Sequence, residues 1–350
     1  MRAIGYGSER SGTDADCLLD ITLPDPSPQE HDLLVAVEAV SVNPVETKVR
    51  RREQPASGAW RVLGWDAVGT VVACGAAVSG FAIGDRVWYA GALQRPGCNS
   101  ALHCVDYRLA AHSPRSISAA EAAALPLTAL TAWELLFDRL RLPRRGPGND
   151  PQTLLVVGAA GGVGSILVQL ALQLTDLEVV GTASRAETQA WLQQLGVKHV
   201  VNHQAPLADQ LASLSLPPLR TVISLTHTDD HFQQLVDLLE PQGALALIDD
   251  PAPQSIDVLA MKRKSLSLHW ELMFTRSLYN TPDMARQGAV LAELASLVDQ
   301  GLIRSTLRQT FRPIHAANVQ RAHRLLESGR SIGKIVLEGG ISTDGVGRKA

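Results

Sequence analysis

The chain has 350 residues, enough for about two domains. Its formal charge is −3, with 45% hydrophobic and 19% charged residues. That balance excludes a disordered chain and lacks the basic excess of a phosphate-backbone binder, so no nucleic-acid partner is expected. The four cysteines, Cys17, Cys74, Cys98 and Cys104, form no CxxC pair, which argues against a disulfide scaffold and weakens any zinc reading.

The N-terminus, MRAIGYGSERSG, has no apolar h-region and predicts no signal peptide, so the protein is expected in the cytoplasm. The first 120 or so residues read as short strands between Pro and Gly turns, with Leu33–Val42, Val68–Val72 and Arg86–Tyr89 the clearest. From Ala119 the pattern AAEAAALPLTALTAWELLFDRL is helical, interrupted at Pro126, and runs into the polar loop RLPRRGPGNDPQ. Strands and helices then alternate. Strands are expected at Leu154–Val157, Glu178–Thr182, His199–Asn202, Thr221–Leu225, Ala244–Ile248 and Ser265–Trp270. Helices are expected between them at Val163–Leu174, Ala186–Leu195, Leu207–Leu214 and Phe232–Leu239. This rhythm predicts an α/β fold, a doubly wound parallel sheet of the Rossmann kind with helices on both faces. The remainder holds helices at Asp283–Gln300 and His315–Glu327 and a strand at Lys334–Leu337.

From Thr153 to Thr175 no residue is charged, a run long enough to span a bilayer. The knot of Gly158, Gly161, Gly162 and Gly164, followed by Gln169 and Gln173, fits a buried strand, a turn and a helix better, and no membrane partner is expected. That turn nearly carries G-x-G-x-x-G, as Ala159-x-Gly161-x-x-Gly164, with alanine in the first position. The glycines permit a tight turn and close approach to a pyrophosphate, and the amides of Gly161, Gly162 and Val163 would hold the anion at a helix N-terminus. Strand-then-helix context makes this a dinucleotide site rather than a turn that serves packing alone. An NAD site would carry an acidic residue about 20 positions on, to bind the ribose 2′-hydroxyl. Here the strand ends GTASRAE, with Ser184 and Arg185 and no carboxylate until Glu187. A hydroxyl and a guanidinium suit a 2′-phosphate, so NADPH is the expected cofactor, unless Arg185 is only a solvated residue at a helix start.

Several motifs together resemble the medium-chain dehydrogenase/reductase superfamily. They are SVNPVETKVR, LGWDAVGTVVACG followed by GDRVWYAG, LPLTALTAWELLFDRL, VVGAAGGVGS, SLTHTD, SLHWELMFTR and ESGRSIGKIVLEG. Within it the quinone oxidoreductase-like branch fits best and, more closely, the bacterial zinc-type alcohol dehydrogenase-like proteins. The resemblance implies a GroES-like β-rich catalytic domain at 1–123 and 273–350, split around a Rossmann domain at 124–272. It also implies a homodimer, an active site in the interdomain cleft, and a small-molecule carbonyl or quinone substrate.

The zinc relatives hold a catalytic metal with Cys, His and Cys. Motif matching puts those ligands at Asn43, Trp65 and Leu127, none of which suits zinc, so no metal is expected. The structural-zinc lobe of the relatives matches GALQRPGCNSALHC, where only Cys98 and Cys104 remain. Asn43 is the candidate donor to substrate oxygen, or a cap for the turn before Pro44. Trp65 would line the pocket or sit in the core. Asp66 matches an acidic position beside the metal, with a structural role equally open. Lys48 resembles a lysine that approaches the cofactor in enone reductases, or is one member of a basic run with Arg50, Arg51 and Arg52. The tyrosines that several quinone reductases carry shortly after the Asn are replaced by Lys48 and Gln54, which puts a tyrosine proton donor in doubt. Thr131 matches a threonine beside the nicotinamide. Lys334 matches a cationic position that reaches the pyrophosphate, or is a plain surface lysine. Leu225 and Thr226 lie at a strand end expected at the carboxyl edge of the sheet. His227 beside them is a possible acid or a loop histidine.

The expected activity is zinc-independent, NADPH-dependent hydride transfer to a quinone or α,β-unsaturated carbonyl. The alternatives are an alcohol/aldehyde dehydrogenase of the zinc type and a non-catalytic NADPH-binding structural or sensor protein.

Overall fold

The computed structural model describes residues 1–9, 12–14 and 16–341. The chain forms two compact units, Met1–Leu127 with the segment from Phe274 onward, and Thr128–Met273. The expected cuts at 123/124 and 272/273 fall four residues and one residue earlier. Residues 342–350 of the expected catalytic segment lie outside the described residues.

In chain order the first unit holds β1 Arg2–Gly7, β2 Leu19–Thr22, β3 Asp32–Ser41, α1 Pro44–Arg52, β4 Trp60–Val62, β5 Ala67–Cys74, β6 Arg86–Tyr89, β7 Leu102–Asp106 and β8 Ala110–His112. The helix α2, Ala119–Ala123, follows, and Pro126 opens α3, Pro126–Trp133. The second unit then runs β9 Thr153–Val157, α4 Gly162–Leu174, β10 Glu178–Thr182, α5 Ala186–Gln194, β11 His199–Val201, α6 Leu207–Ala212, β12 Leu219–Ser224, α7 Thr228–Leu238, β13 Ala244–Leu247 and β14 Ser267–Trp270. The chain returns to the first unit with α8 Thr275–Leu278, α9 Arg286–Asp299, β15 Leu307–Phe311, α10 Ala316–Glu327 and β16 Lys334–Glu338.

The first unit is β-rich. Its larger sheet has the order β15-β16-β3-β5-β6-β8, with β7 also pairing β3, and a three-stranded sheet has the order β2-β1-β4. Central β3 pairs antiparallel with β5 and with β16, in the register Val40↔Ala67 and Val336↔Ser41. The end of β3 and the starts of β5 and β16 therefore meet at one edge of the sheet. Helix α1 was not anticipated, because Pro44 reads as a break. Proline is nevertheless favoured at the first helical position, where its missing N–H would be unpaired anyway.

The second unit is a six-stranded sheet in the order β11-β10-β9-β12-β13-β14, parallel throughout. Counting from β9, that is 3-2-1-4-5-6, the doubly wound order with a reversal between β9 and β12 where nucleotides bind. The strand TLLVV of β9 is buried along its whole length, as a central strand covered on both faces must be. Leu155, Val157, Val180 and Val222 pack with Phe232 and Leu235 of α7 into this unit's core. By length and composition Ala119–Arg139 could cross a membrane, but 89% of its apolar window is buried inside the protein.

Candidate functional site

The edge where β3, β5 and β16 meet gathers three polar side chains that lie far apart in sequence. Asn43 leaves β3, Asp66 precedes β5, and Lys334 begins β16, two residues before the Val336↔Ser41 pair. Lys334 Nζ donates to Asn43 Oδ1, to Val42 O at 2.8 Å and to Asp66 Oδ2 at 3.1 Å. Asn43 Nδ2 donates to the same Asp66 oxygen at 2.8 Å, and the Leu127 amide donates to Asp66 Oδ1, also at 2.8 Å. Asn43, Asp66 and Lys334 are 1%, 0% and 3% exposed. Burial pushes the Asp66 carboxyl up to about 6, against the pull of Lys334 and its hydrogen bonds. Burial also lowers the Lys334 ammonium, against Asp66 and Glu46. Both shifts run towards the neutral forms, so desolvation outweighs the attraction within the pair.

A further layer steadies Asn43. Its amide donates to Glu46 Oε1 at 3.0 Å, and Glu46 Oε2 lies 3.2 Å from His323 Nε2 on α10, with both residues wholly buried. Trp65, beside Asp66, donates through Nε1 to Ala92 O at 3.1 Å and meets the Phe274 ring edge-on at 6.2 Å between centroids.

In the second unit, Gly158 closes β9 with φ +77°, and a Cβ there would lie 2.7 Å from Thr226 Cγ2. A Cβ on Gly164 would lie 2.4 Å from Ala159 O, so glycine is needed for helix α4 to start this close to the strand. The first intrahelical bond of α4 runs from Ser165 N–H to Gly161 O at 2.9 Å. The amides of Gly162, Val163 and Gly164 thus precede it, at the positively polarised end of a 13-residue helix. The turn glycine is therefore Gly158, one residue before the expected position; Ala159 is buried beneath the turn, with its Cβ close to Gly181.

Residues 29–124 match the alcohol dehydrogenase GroES-like domain, and residues 195–337 match the zinc-binding dehydrogenase family. A zinc-type alcohol dehydrogenase-like protein of Staphylococcus aureus is 38% identical over 312 residues, covering 89% of this chain and 92% of that protein. The chain belongs to the medium-chain dehydrogenase/reductase superfamily. The crystal structure of a superfamily protein from Rhizobium etli CFN 42, named for the zinc-dependent alcohol dehydrogenases, is 50% identical, with TM-score 0.92 and coverage of 98% and 99% of the two chains. The Escherichia coli quinone oxidoreductase complexed with NADPH is 25% identical, with TM-score 0.78 over 97% and 100%. A quinone oxidoreductase of Pseudomonas aeruginosa is 31% identical over 319 residues, covering 89% of this chain and 92% of that protein. The β-rich unit is thus GroES-like, and the parallel sheet is the Rossmann domain of a superfamily oxidoreductase that uses a nicotinamide cofactor.

Set against the superfamily's metal site, the donors here do not fit zinc. Asn43 Oδ1 is taken by an ammonium, and the side chains of Trp65 and Leu127 offer no thiolate, imidazole or carboxylate. Among the described residues no three His, Cys, Asp or Glu side chains are grouped to hold a metal ion. Burial raises both remaining lobe thiols, Cys104 to about 11 and Cys98 further, which disfavours the thiolate a metal would need.

The same geometry bears on three expectations. The Asn43 side-chain amide, expected to donate to substrate, is spent on Asp66, with a longer 3.4 Å contact to Ser41 O, and the residue takes the alternative place, the cap of the helix that Pro44 opens. Trp65, expected to line a pocket or sit in the core, is 1% exposed and belongs to the core. Lys334, expected to reach the pyrophosphate, is buried with its ammonium held by Val42, Asn43 and Asp66. Lys48 is half-buried on α1, and Thr131 is buried on α3. The cofactor candidates of the Rossmann unit do share one edge. Ser184 and Arg185 follow β10, while Leu225 and Thr226 follow β12, all half-buried at the carboxyl ends of the strands.

Proposed function

We propose that this chain is an NADPH-dependent oxidoreductase that delivers hydride to a quinone or an α,β-unsaturated carbonyl without zinc. The observation that carries the reading is the Lys334 ammonium bound to Asn43 and Asp66, among positions that in zinc relatives would hold the metal. In zinc relatives a Lewis acid takes up the charge that develops on the oxygen of an isolated carbonyl. A quinone or enone spreads that charge over its own conjugated system, so it reacts with less help. The quinone oxidoreductase names among its relatives support the same acceptor class.

NADPH, when bound, supplies the hydride. The chain's part is to hold the diphosphate at the amides of Gly162, Val163 and Gly164, and to meet the 2′-phosphate with Ser184 and Arg185. Asn43, Asp66 and Lys334 act as positioning residues that fix the edge where β3, β5 and β16 meet. Homodimerisation belongs to this reading. Strand β14 is the last of its sheet, and Trp270 and Leu272 beside it are about half exposed.

The names of the staphylococcal relatives favour a second reading, aldehyde reduction. Loss of NADPH absorbance with a panel of quinones, enones and aldehydes separates the two. Turnover confined to conjugated acceptors supports the first reading. Turnover confined to simple aldehydes refutes it, as does binding with no turnover across the panel.

A further inference from the structure

Two histidine rings meet at the carboxyl edge of the Rossmann sheet, and a third histidine, His227, lies near them beside the glycine turn. His203 follows β11, His227 precedes α7, and His231 lies one turn along that helix. The His203 and His231 rings stand 6.0 Å apart between centroids. His203 Nδ1 lies 3.1 Å from the Thr182 hydroxyl, and the same oxygen accepts from the Gly158 amide at 3.1 Å. His203 is thereby tied to the turn. His227 holds a left-handed φ of +53°, with Nδ1 2.8 Å from the Thr226 hydroxyl. Thr226 is the residue that packs on Gly158. The parallel register Thr182↔Val201 makes β10 and β11 end together. Arg185 and His203 therefore leave the sheet at the same edge.

Resting on the NADPH reading above, the geometry points to the His203, His227 and His231 cluster as a proton-linked recognition site for the cofactor's 2′-phosphate. Packing three imidazoles together has little structural return, because they repel one another when charged. Burial, and then the charges of His231 and His227 acting on it, lower His203 below the ordinary histidine value. Burial and His227 lower His231, against Asp230. The other nearby charges are accounted for. Asp229 accepts from the Ala252 amide and the Ser255 hydroxyl, Asp249 accepts from Thr228, and Arg185, of the sign the phosphate needs, follows β10 at the same edge. A phosphate dianion arriving among these rings reverses the repulsion and draws protons onto them. Thr182 can serve His203 in either state, donating to a bare Nδ1 or accepting from a protonated one. No metal grouping competes for these rings among the described residues.

The test compares NADP⁺ with NAD⁺ on the full-length protein, by calorimetry in two buffers of different ionisation heat at pH 7 to 8.5. Above pH 7 the 2′-phosphate is already a dianion, since its second pKa is about 6, and it contributes no uptake of its own. The expected result is uptake of about one more proton with NADP⁺ than with NAD⁺, and an NADP⁺ preference that falls about 30-fold across that range. His231→Lys, whose charge stays fixed, keeps the preference at pH 8.5. His203→Gln with His231→Gln lowers the preference and flattens its pH dependence. Equal proton uptake with both dinucleotides, or an NADP⁺ preference independent of pH in the unmodified protein, overturns this site and leaves the proposed function standing on Arg185. If neither dinucleotide binds, both readings fall together.

Discussion

Replacing Lys334 by methionine keeps an unbranched side chain of nearly the same length and removes the ammonium bonded to Asp66. The two charged atoms lie 3.1 Å apart and are almost wholly buried. At an effective dielectric near 20, unit charges at that distance attract by about 5 kcal/mol. Even with this partner, Asp66 is held at about 6 rather than 3.8, so at pH 7 its ionised form already costs the folded state about 3 kcal/mol. Without Lys334 the carboxylate has no counter-charge, and breaking a buried pair in this way costs about 3–5 kcal/mol. Removing both charges, with Lys334→Met and Asp66→Asn together, recovers most of that loss. The sign of the pH dependence follows from the raised carboxyl. Its favourable contribution is complete below about pH 4, where the unfolded chain titrates, and is lost as pH rises through about 6. In Lys334→Met that loss extends to higher pH, so the penalty is largest near pH 8 and shrinks towards pH 5. Urea unfolding at both pH values measures it. A penalty below about 1 kcal/mol at pH 8, or a double variant no more stable than the single one, refutes the reasoning.

Arg185→Ala removes the guanidinium expected at the 2′-phosphate. A hydrogen bond to a charged group contributes about 1.5–3 kcal/mol, so NADPH affinity should fall about 10- to 100-fold in a fluorescence titration while NADH affinity holds. An equal loss for both cofactors counts against the assignment. Trp270→Lys places a charge on the open edge strand β14 and should turn a dimer into a monomer in light scattering after gel filtration. An unchanged mass rules that edge out as the interface.

The Rossmann unit was legible because its signals are local. Buried apolar runs such as LLVV, helices of period 3.6 and the Gly-rich turn each declare themselves within a few residues, and the doubly wound order follows from their alternation. Even there the turn residue is Gly158 and not the position of Ala159, because the glycine pattern does not reveal which residue takes the positive φ. The GroES-like unit was less legible. Its strands are short, and Pro44 disguised α1. The cluster of Asn43, Asp66 and Lys334 depends on strand register across nearly three hundred residues, which no spacing in the sequence expresses. Lys334 was legible as a cation but not as a buried one. Glu46 and His323 were missed outright, since a helical Glu and His ordinarily face water. His203 and His231 were missed for a related reason: 28 residues apart, they meet only because β11 and α7 end and begin at one edge of the sheet.

The central claim is hydride transfer without a metal. The most direct measurement is steady-state NADPH oxidation with a quinone acceptor by protein whose metal content has been measured before and after exhaustive chelation. The account predicts the same kcat before and after, with far less than one zinc per chain in both samples. Turnover that disappears on chelation and returns with added zinc would contradict it.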